Sequence, residues 1–271
     1  MGDALWAIPL GFVVGAFGTL IGAGGGFVLM PVLLMLFPGQ SPELLTSISL
    51  AVVFFNAASG SWAYARLKRI DYRSGLLFSA ATVPGAIVGA LTTSYLPRRL
   101  FDGVFGVILI AASAVLMLRP AVERKHEERT SVFTVVRTLV EADGTKHTIT
   151  YDARTGVIIS LVVGYLSSLL GIGGGIIHVP VLVHLLGFPV HIATATSHFV
   201  LAVMALSGTA VHIASGVFTR GVWLTLFLGI GVILGAQVGA RWSGRVQGSW
   251  ILRGLALALG LVGVRILLMA L

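Results

Sequence analysis

Apolar and polar positions divide the chain into eight hydrophobic runs: 4–37, 44–65, 74–96, 100–118, 155–186, 192–213, 221–240 and 249–271. A helix needs about 20 apolar residues to cross the hydrocarbon core of a bilayer. By that measure six of the runs are ordinary spans. The runs 4–37 and 155–186 are too long for one helix; at about 1.5 Å per residue the first would reach roughly 50 Å. Both carry a glycine cluster near the middle, GAGGG at 22–26 and GIGGG at 171–175, and then Pro31 and Pro180. Glycine costs about 1 kcal/mol relative to alanine inside a helix, and proline removes a donor. Each overlong run therefore reads as two shorter helical pieces joined at the glycines, either crossing the bilayer as a discontinuous helix or re-entering on one side.

The two patterns are copies of each other. Eight of fifteen positions agree between 22–36 and 171–185. Later landmarks keep nearly the same offset: Ser49 opposite Ser197, Ser59-Gly60 opposite Ser207-Gly208, and Gly85–Ala90 opposite Gly235–Ala240. The expected organisation is a first transmembrane repeat over 1–118, an extramembrane linker over 119–154 and a second repeat over 155–271. Each repeat is an all-α unit with a glycine-broken helix pair and three transmembrane helices.

Composition agrees. The chain is 56% hydrophobic and 10% charged, against about 25% charged in a soluble domain. It is an integral membrane protein. The absence of cysteine excludes structural disulfides, thiolate zinc sites and thiol catalysis. The N-terminus, MGDALWAIPL, lacks a basic n-region, so no cleaved signal peptide is expected. The excess of basic residues lies between apolar runs, where it sets topology rather than nucleic-acid binding. Placing Arg66, Lys68, Arg69 and Arg73 in the cytoplasm, an inverted arrangement keeps 119–154, Arg241 and Arg245 inside and leaves Arg98, Arg99 and Arg220 outside. A parallel arrangement moves Arg241 and Arg245 outside and Arg220 inside. The inverted arrangement satisfies the charge rule better, by a few charges.

The linker is different material. RPAVERKHEERT, 119–130, is charged and solvated, whereas β-branched runs flank Asp143-Gly144. That dipeptide signals a two-residue hairpin turn. A small β-hairpin in the central loop is expected, as a connector with local structure or as a docking element.

Non-helical backbone at membrane depth survives only when it is buried in protein or faces a wet cavity. Glycines there free N–H groups, and half-helix N-termini direct about half a positive charge at the break. That is a site for an anion. Two such breaks near the midplane are the layout of a secondary transporter.

GAGGGFVLMPVL and GIGGGIIHVPVL, in two homologous halves of a chain this size, resemble the TauE/SafE sulfite exporter family, also called the TSUP permeases. The resemblance covers nearly everything outside 119–154. It implies a permease in the inner (plasma) membrane of a bacterium or archaeon, moving a small sulfur-containing anion such as sulfite, sulfoacetate or another organosulfonate.

Sulfonate oxygens accept hydrogen bonds and donate none, so donors suit them. The candidate binding residues are Gly24, Gly25, Gly26, Ser49, Asn56, Gly173, Gly174, Gly175, His178, Ser197, His198 and Ser207. Gly22, Pro31, Gly171 and Pro180 are candidate structural or gating positions. Asn56 leads because an amide at midspan needs a partner. Ser49 and Asn56, seven apart, share a helix face. His178 could donate to an anion or carry a coupling proton, and His198 stands next to Ser197 in the polar row of its helix. Packing competes with each of these roles. No metal site is expected, because no acidic or thiol ligand accompanies the histidines, and no cofactor is expected beyond H+ as a candidate coupling ion. An enzyme is disfavoured: no orienting carboxylate follows Ser207 and His212, and the glycine clusters lack the dinucleotide pattern. The expected function is a secondary transporter, an exporter of a sulfur-containing anion. The alternative is a channel-like or importing permease for another small anion. The expected partners are that anion and the lipid bilayer, not nucleic acid; a homodimer stays open.

Overall fold

A computed structural model describes residues 5–118, 133–243 and 248–270. The charged stretch 119–130 and Arg245 lie outside the described residues. The fold is mostly helical. The first part holds α1 (Ala7–Ile21), α2 (Gly26–Leu36), α3 (Pro42–Arg66), α4 (Tyr72–Thr93) and α5 (Arg98–Leu118). Two strands follow, β1 (Thr134–Val140) and β2 (Lys146–Asp152). Then come α6 (Ala153–Leu170), α7 (Gly175–His184), α8 (Val190–Ala214), α9 (Val222–Ser243) and α10 (Gly248–Ala270). Among the described residues, α3, α4, α6, α8 and α9 are long and apolar enough to cross a membrane.

These helices are apolar all round, so burial alone does not choose their neighbours. Small residues do. α1 lies along α9, where Gly231 and Gly235 bring their backbone against Ile8 and Phe12, and Gly11 and Gly15 meet Leu228 and Val232. α6 lies along α4 in the same way, with Gly85 and Gly89 against the carbonyls of Leu161 and Tyr165 and Gly164 against that of Thr82. A Cβ at any of these glycines would overlap backbone. α5 packs on α10, with the Ser113 hydroxyl donating to the Ala256 carbonyl at 2.6 Å. α3 packs on α8 at the centre and also touches α9, while α8 touches α4. Each part thus lends its first helix to the other part's fourth helix.

One end of the bundle is set by α3. Leu44, at its start, lines a cavity of about 580 Å³ with Trp6, Phe37, Gln40, Arg220 and Trp223. The beginning of α1 and the end of α2 therefore lie at the same end. The hairpin marks the other end. Ala142 donates its N–H to the Leu67 carbonyl just past α3, at 3.1 Å, and Arg69 pairs with Glu141 at 2.6 Å.

β1 and β2 pair antiparallel, with Thr134 opposite Asp152 and Val140 opposite Lys146. The turn differs from the expected two-residue loop. Gly144 N–H donates to Glu141 O at 3.1 Å and Glu141 N–H to Thr145 O at 2.9 Å, with Gly144 at φ +90°. This is a three-residue loop, Ala142–Gly144, ending in a glycine bulge. The Asp143 carboxylate accepts from Thr145 N–H at 2.9 Å, which holds its pKa below the usual carboxylate range. β2 runs straight into α6, where Asp152 caps the helix by accepting from Arg154 N–H at 2.9 Å.

Candidate functional site

Both overlong apolar runs leave helical geometry at their glycines. α1 ends on Gly22 at φ +81°, and Ala23 and Gly24 both donate back to the Gly18 carbonyl, at 2.9 and 3.2 Å. α6 ends on Gly171 at φ +68°, and Ile172 donates back to Ser167 O at 3.2 Å. α2 and α7 then start from Gly25 and Gly174, neither with a side-chain cap. The first N–H groups of a helix have no intrahelical acceptor. Among the described residues, those of Gly26, Phe27 and Ile176 meet no other acceptor either. Pro31 and Pro180 are each the sixth residue of their helix. They lie past the first turn, where a missing N–H would have cost nothing, so each removes one helical bond. The carbonyls of Phe27 and Ile176 lose their i+4 donors.

The two breaks face each other. A Cβ on Gly26 would stand 2.7 Å from the carbonyl of Ile172, and one on Gly175 would collide with the Gly22 carbonyl. Gly24 and Gly173 both pack against Val53, and Gly24 also against Leu201. Val53 and Leu201 are each the twelfth residue of a 25-residue helix. The breaks therefore meet at the middle of α3 and α8, with their backbones in direct contact. No lysine or arginine among the described residues is buried. Positive potential at this depth comes from N–H groups and the N-terminal ends of α2 and α7.

α3 and α8 supply the side chains around the breaks. Gly171 rests on Thr46 and Gly22 on Thr194, so each break leans on the central helix of the other part. The Ser49 hydroxyl donates to Gly171 O at 2.5 Å. Ser197, at the equivalent place on α8, has a fully buried hydroxyl with no partner, as do Thr46 and Thr194. Ser167, beside Gly174, and Ser168, beside Gly208, are likewise buried and unpaired. An unmet buried hydroxyl costs about 1–3 kcal/mol. Several of them lie around the two buried, uncapped helix starts, and each has a proton to donate to a group that accepts hydrogen bonds.

Asn56 and His198 come together through a residue that the sequence pattern does not single out. The Thr19 hydroxyl donates to Asn56 Oδ1 at 2.9 Å and lies 3.2 Å from His198 Nε2. With the Thr19 proton committed to Asn56, His198 donates through Nε2 and keeps Nδ1 free. Asn56 Nδ2 and His198 Nδ1 are both buried and unpaired. Tyr64 closes the cluster: its hydroxyl donates to Thr19 O at 2.7 Å, and its ring meets His198 edge to face at 5.8 Å. Nothing local marks Thr19 or Tyr64 as special; the readable signal is their nearness to a break and to the end of α3.

Two candidates lie elsewhere. His178 is buried on α7 with Nε2 3.3 Å from the Ser160 hydroxyl and its ring against Phe78. Ser207 is half-buried and donates to its own Val203 carbonyl at 2.9 Å. The side-chain bonds of His178 and Ser207 do not go to the facing glycines, although the His178 N–H donates to the Gly174 carbonyl at 2.8 Å. Arg98 is a structural cation away from the breaks. It reaches the carbonyls of Leu34 at 2.9 Å and Gln40 at 3.1 Å, closing the end of α2, and pairs with Asp102 at 2.9 Å.

The model of the family described as sulfite exporter TauE/SafE matches residues 7–266. A relative from Bacillus subtilis named "Probable membrane transporter protein YunE" is 33% identical over 267 residues, covering 96% of each chain. A "Probable membrane transporter protein" of Methanocaldococcus jannaschii is 24% identical, covering 96% of this chain and 94% of its own. One from Sinorhizobium is 25% identical over 86% of this chain and 80% of its own. No solved structure matches.

Proposed function

The chain belongs to the TauE/SafE sulfite exporter family, and from that premise we propose that it is a secondary transporter, an exporter of a small sulfur-containing anion such as sulfite or an organosulfonate. The anion binds near the midplane, between the two glycine breaks. The observation that carries this reading is the meeting of two helix starts with unclaimed N–H groups, ringed by the unpaired hydroxyls of Thr46, Thr194 and Ser197. This donor set, with no buried lysine or arginine among the described residues, suits an oxyanion that only accepts. The backbone contact between the breaks leaves them closed in this state, so transport requires them to part. The chemistry is binding and release, not catalysis.

In this reading α1–α2 and α6–α7 are re-entrant pairs entering from opposite faces, and the two repeats are inverted. The shared position of Trp6 and Phe37 at one end of the bundle supports it. So does the grouping of Arg66, Lys68, Arg69, Arg73, Arg154 and Arg241 toward the hairpin end, which becomes the cytoplasmic face of the plasma membrane. His198, with Nδ1 free beside Asn56, is the group in the cluster able to carry a coupling proton.

The test is ligand-induced thermal stabilisation of the purified protein against sulfite, thiosulfate, sulfoacetate, taurine, sulfate and acetate, followed by flux of any binder in proteoliposomes. Binding to the folded state raises apparent stability by mass action. A selective shift with one sulfur oxyanion is expected. A shift with acetate alone would overturn the substrate class.

A further inference from the structure

We propose that the β1–β2 hairpin is a stopper seated in a vestibule that mirrors the open cavity at the opposite end of the bundle. The chain therefore closes its transport route on the hairpin side with a segment of its own.

The open cavity is lined by the first turns of α3 and α9, including Leu44, Leu45, Ile48 and Leu224. Thr46, which carries Gly171, lies within a turn of Leu45 and Ile48 on another face of α3, so the cavity sits beside the stretch of α3 that supports a glycine break. The duplication assigns each of these positions a counterpart. The offset relating Ser49 to Ser197 takes Leu44, Leu45 and Ile48 to Ile192, Ala193 and Thr196. The offset relating Gly85 to Gly235 takes Leu224 back to Ser74. Thr194, which carries Gly22, likewise lies within a turn of Ala193 and Thr196. The counterpart vestibule thus sits beside the stretch of α8 that supports the other break.

That second vestibule is full. Tyr151 and Ile149, from the inward face of β2, are buried in one cluster with Phe78, Leu186, Ile192 and Ala193. The Tyr151 ring meets Phe188 at 5.3 Å and Phe78 at 5.8 Å. Its hydroxyl is 2.6 Å from that of Ser74, which also donates to Asp71. The hairpin tip is latched separately: Glu141 pairs with Arg69 at 2.6 Å and contacts His147 Nε2 at 2.9 Å. Because β2 continues into α6 through the Asp152 cap, the stopper is rigidly joined to the helix that ends on Gly171. Withdrawal of the hairpin and movement of the second break are one motion.

The stopper acts as a gate on the transport reading given above, but its seating can be measured without any substrate. The natural chain has no cysteine, so single cysteines report access directly. Ile192→Cys and Leu44→Cys are labelled with a charged methanethiosulfonate reagent in nanodiscs, where both faces are wet. Leu44→Cys is expected to react at least tenfold faster than Ile192→Cys. Adding Tyr151→Ala with Ile149→Ala should raise Ile192→Cys to the Leu44→Cys rate and leave Leu44→Cys unchanged. Should that pair fail to fold, Arg69→Gln with Glu141→Gln, which removes the ionic latch of the tip and leaves the Ala142–Leu67 backbone bond, should still speed Ile192→Cys several-fold. Equal rates at Ile192→Cys and Leu44→Cys in the natural chain would overturn the stopper. So would continued protection of Ile192→Cys once the hairpin contacts are removed. A silent anion panel would overturn the substrate reading and leave these rates untouched.

Discussion

The hydroxyl of Thr19 stands between Asn56 Oδ1, 2.9 Å away, and His198 Nε2, 3.2 Å away, and so ties three helices from both parts of the chain at the edge of a glycine break. Thr19→Val keeps the shape of the side chain and removes both bonds. It should lower stability by about 1–3 kcal/mol, the cost of stranding buried polar partners, and slow flux. Thr19→Ser should restore both. A valine variant with the thermal midpoint and flux of the parent would remove Thr19 from the cluster's function.

Asn56 holds an unpaired Nδ2 at the same place. Asn56→Ala should weaken binding of whichever anion stabilises the parent by about tenfold, the worth of one hydrogen bond to a charged group. The checking measurement is the ligand concentration needed for half-maximal thermal shift. An unchanged midpoint would take Asn56 out of the site.

Gly25 and Gly174 have positive φ, +77° and +54°. A side chain at either position is strained by about 1–2 kcal/mol and also meets Val14 or Ser167. Gly25→Leu and Gly174→Leu should abolish transport while the protein still inserts in the membrane. Normal flux through either would reduce the breaks to packing devices.

The Tyr151 phenol lies outside the spanning segments, and burial pushes its pKa above the ordinary value. A raised folded pKa means that the seated form is favoured below the unfolded value, about 10, and loses that advantage as pH climbs through the folded pKa. Alkali should therefore unseat the hairpin, seen as a rise in Ile192→Cys labelling above pH 10. Tyr151→Phe, which keeps the ring packing, should abolish that rise; an unchanged profile would assign it to another group.

Sequence alone makes much of this legible. Run length exposes 4–37 and 155–186 as too long, and glycine chemistry explains where the chain leaves the helix. The Asp143-Gly144 pair announces the hairpin, although the bulge at Gly144 adds a third loop residue. Partner choice is not legible. A helix apolar on every side gives no sign of what it will meet, and the spacing of Gly231 and Gly235 says that something comes close without saying that it is α1. The Thr19 contact is invisible for a related reason. One threonine in an apolar helix carries no periodic signal, and its worth comes from Asn56 and His198, which are distant in the chain.

The crosswise exchange of helices has a consequence for synthesis. The glycine face of α1 meets α9, which is made roughly two hundred residues later. At about 5–20 residues per second, α1 must wait some tens of seconds for its permanent neighbour, as α4 waits a shorter time for α6. A nascent chain stopped after the first repeat would carry two unclaimed small-residue seams. Truncated products should therefore be sought by membrane proteases, and the two halves, expressed as separate polypeptides, should survive only together.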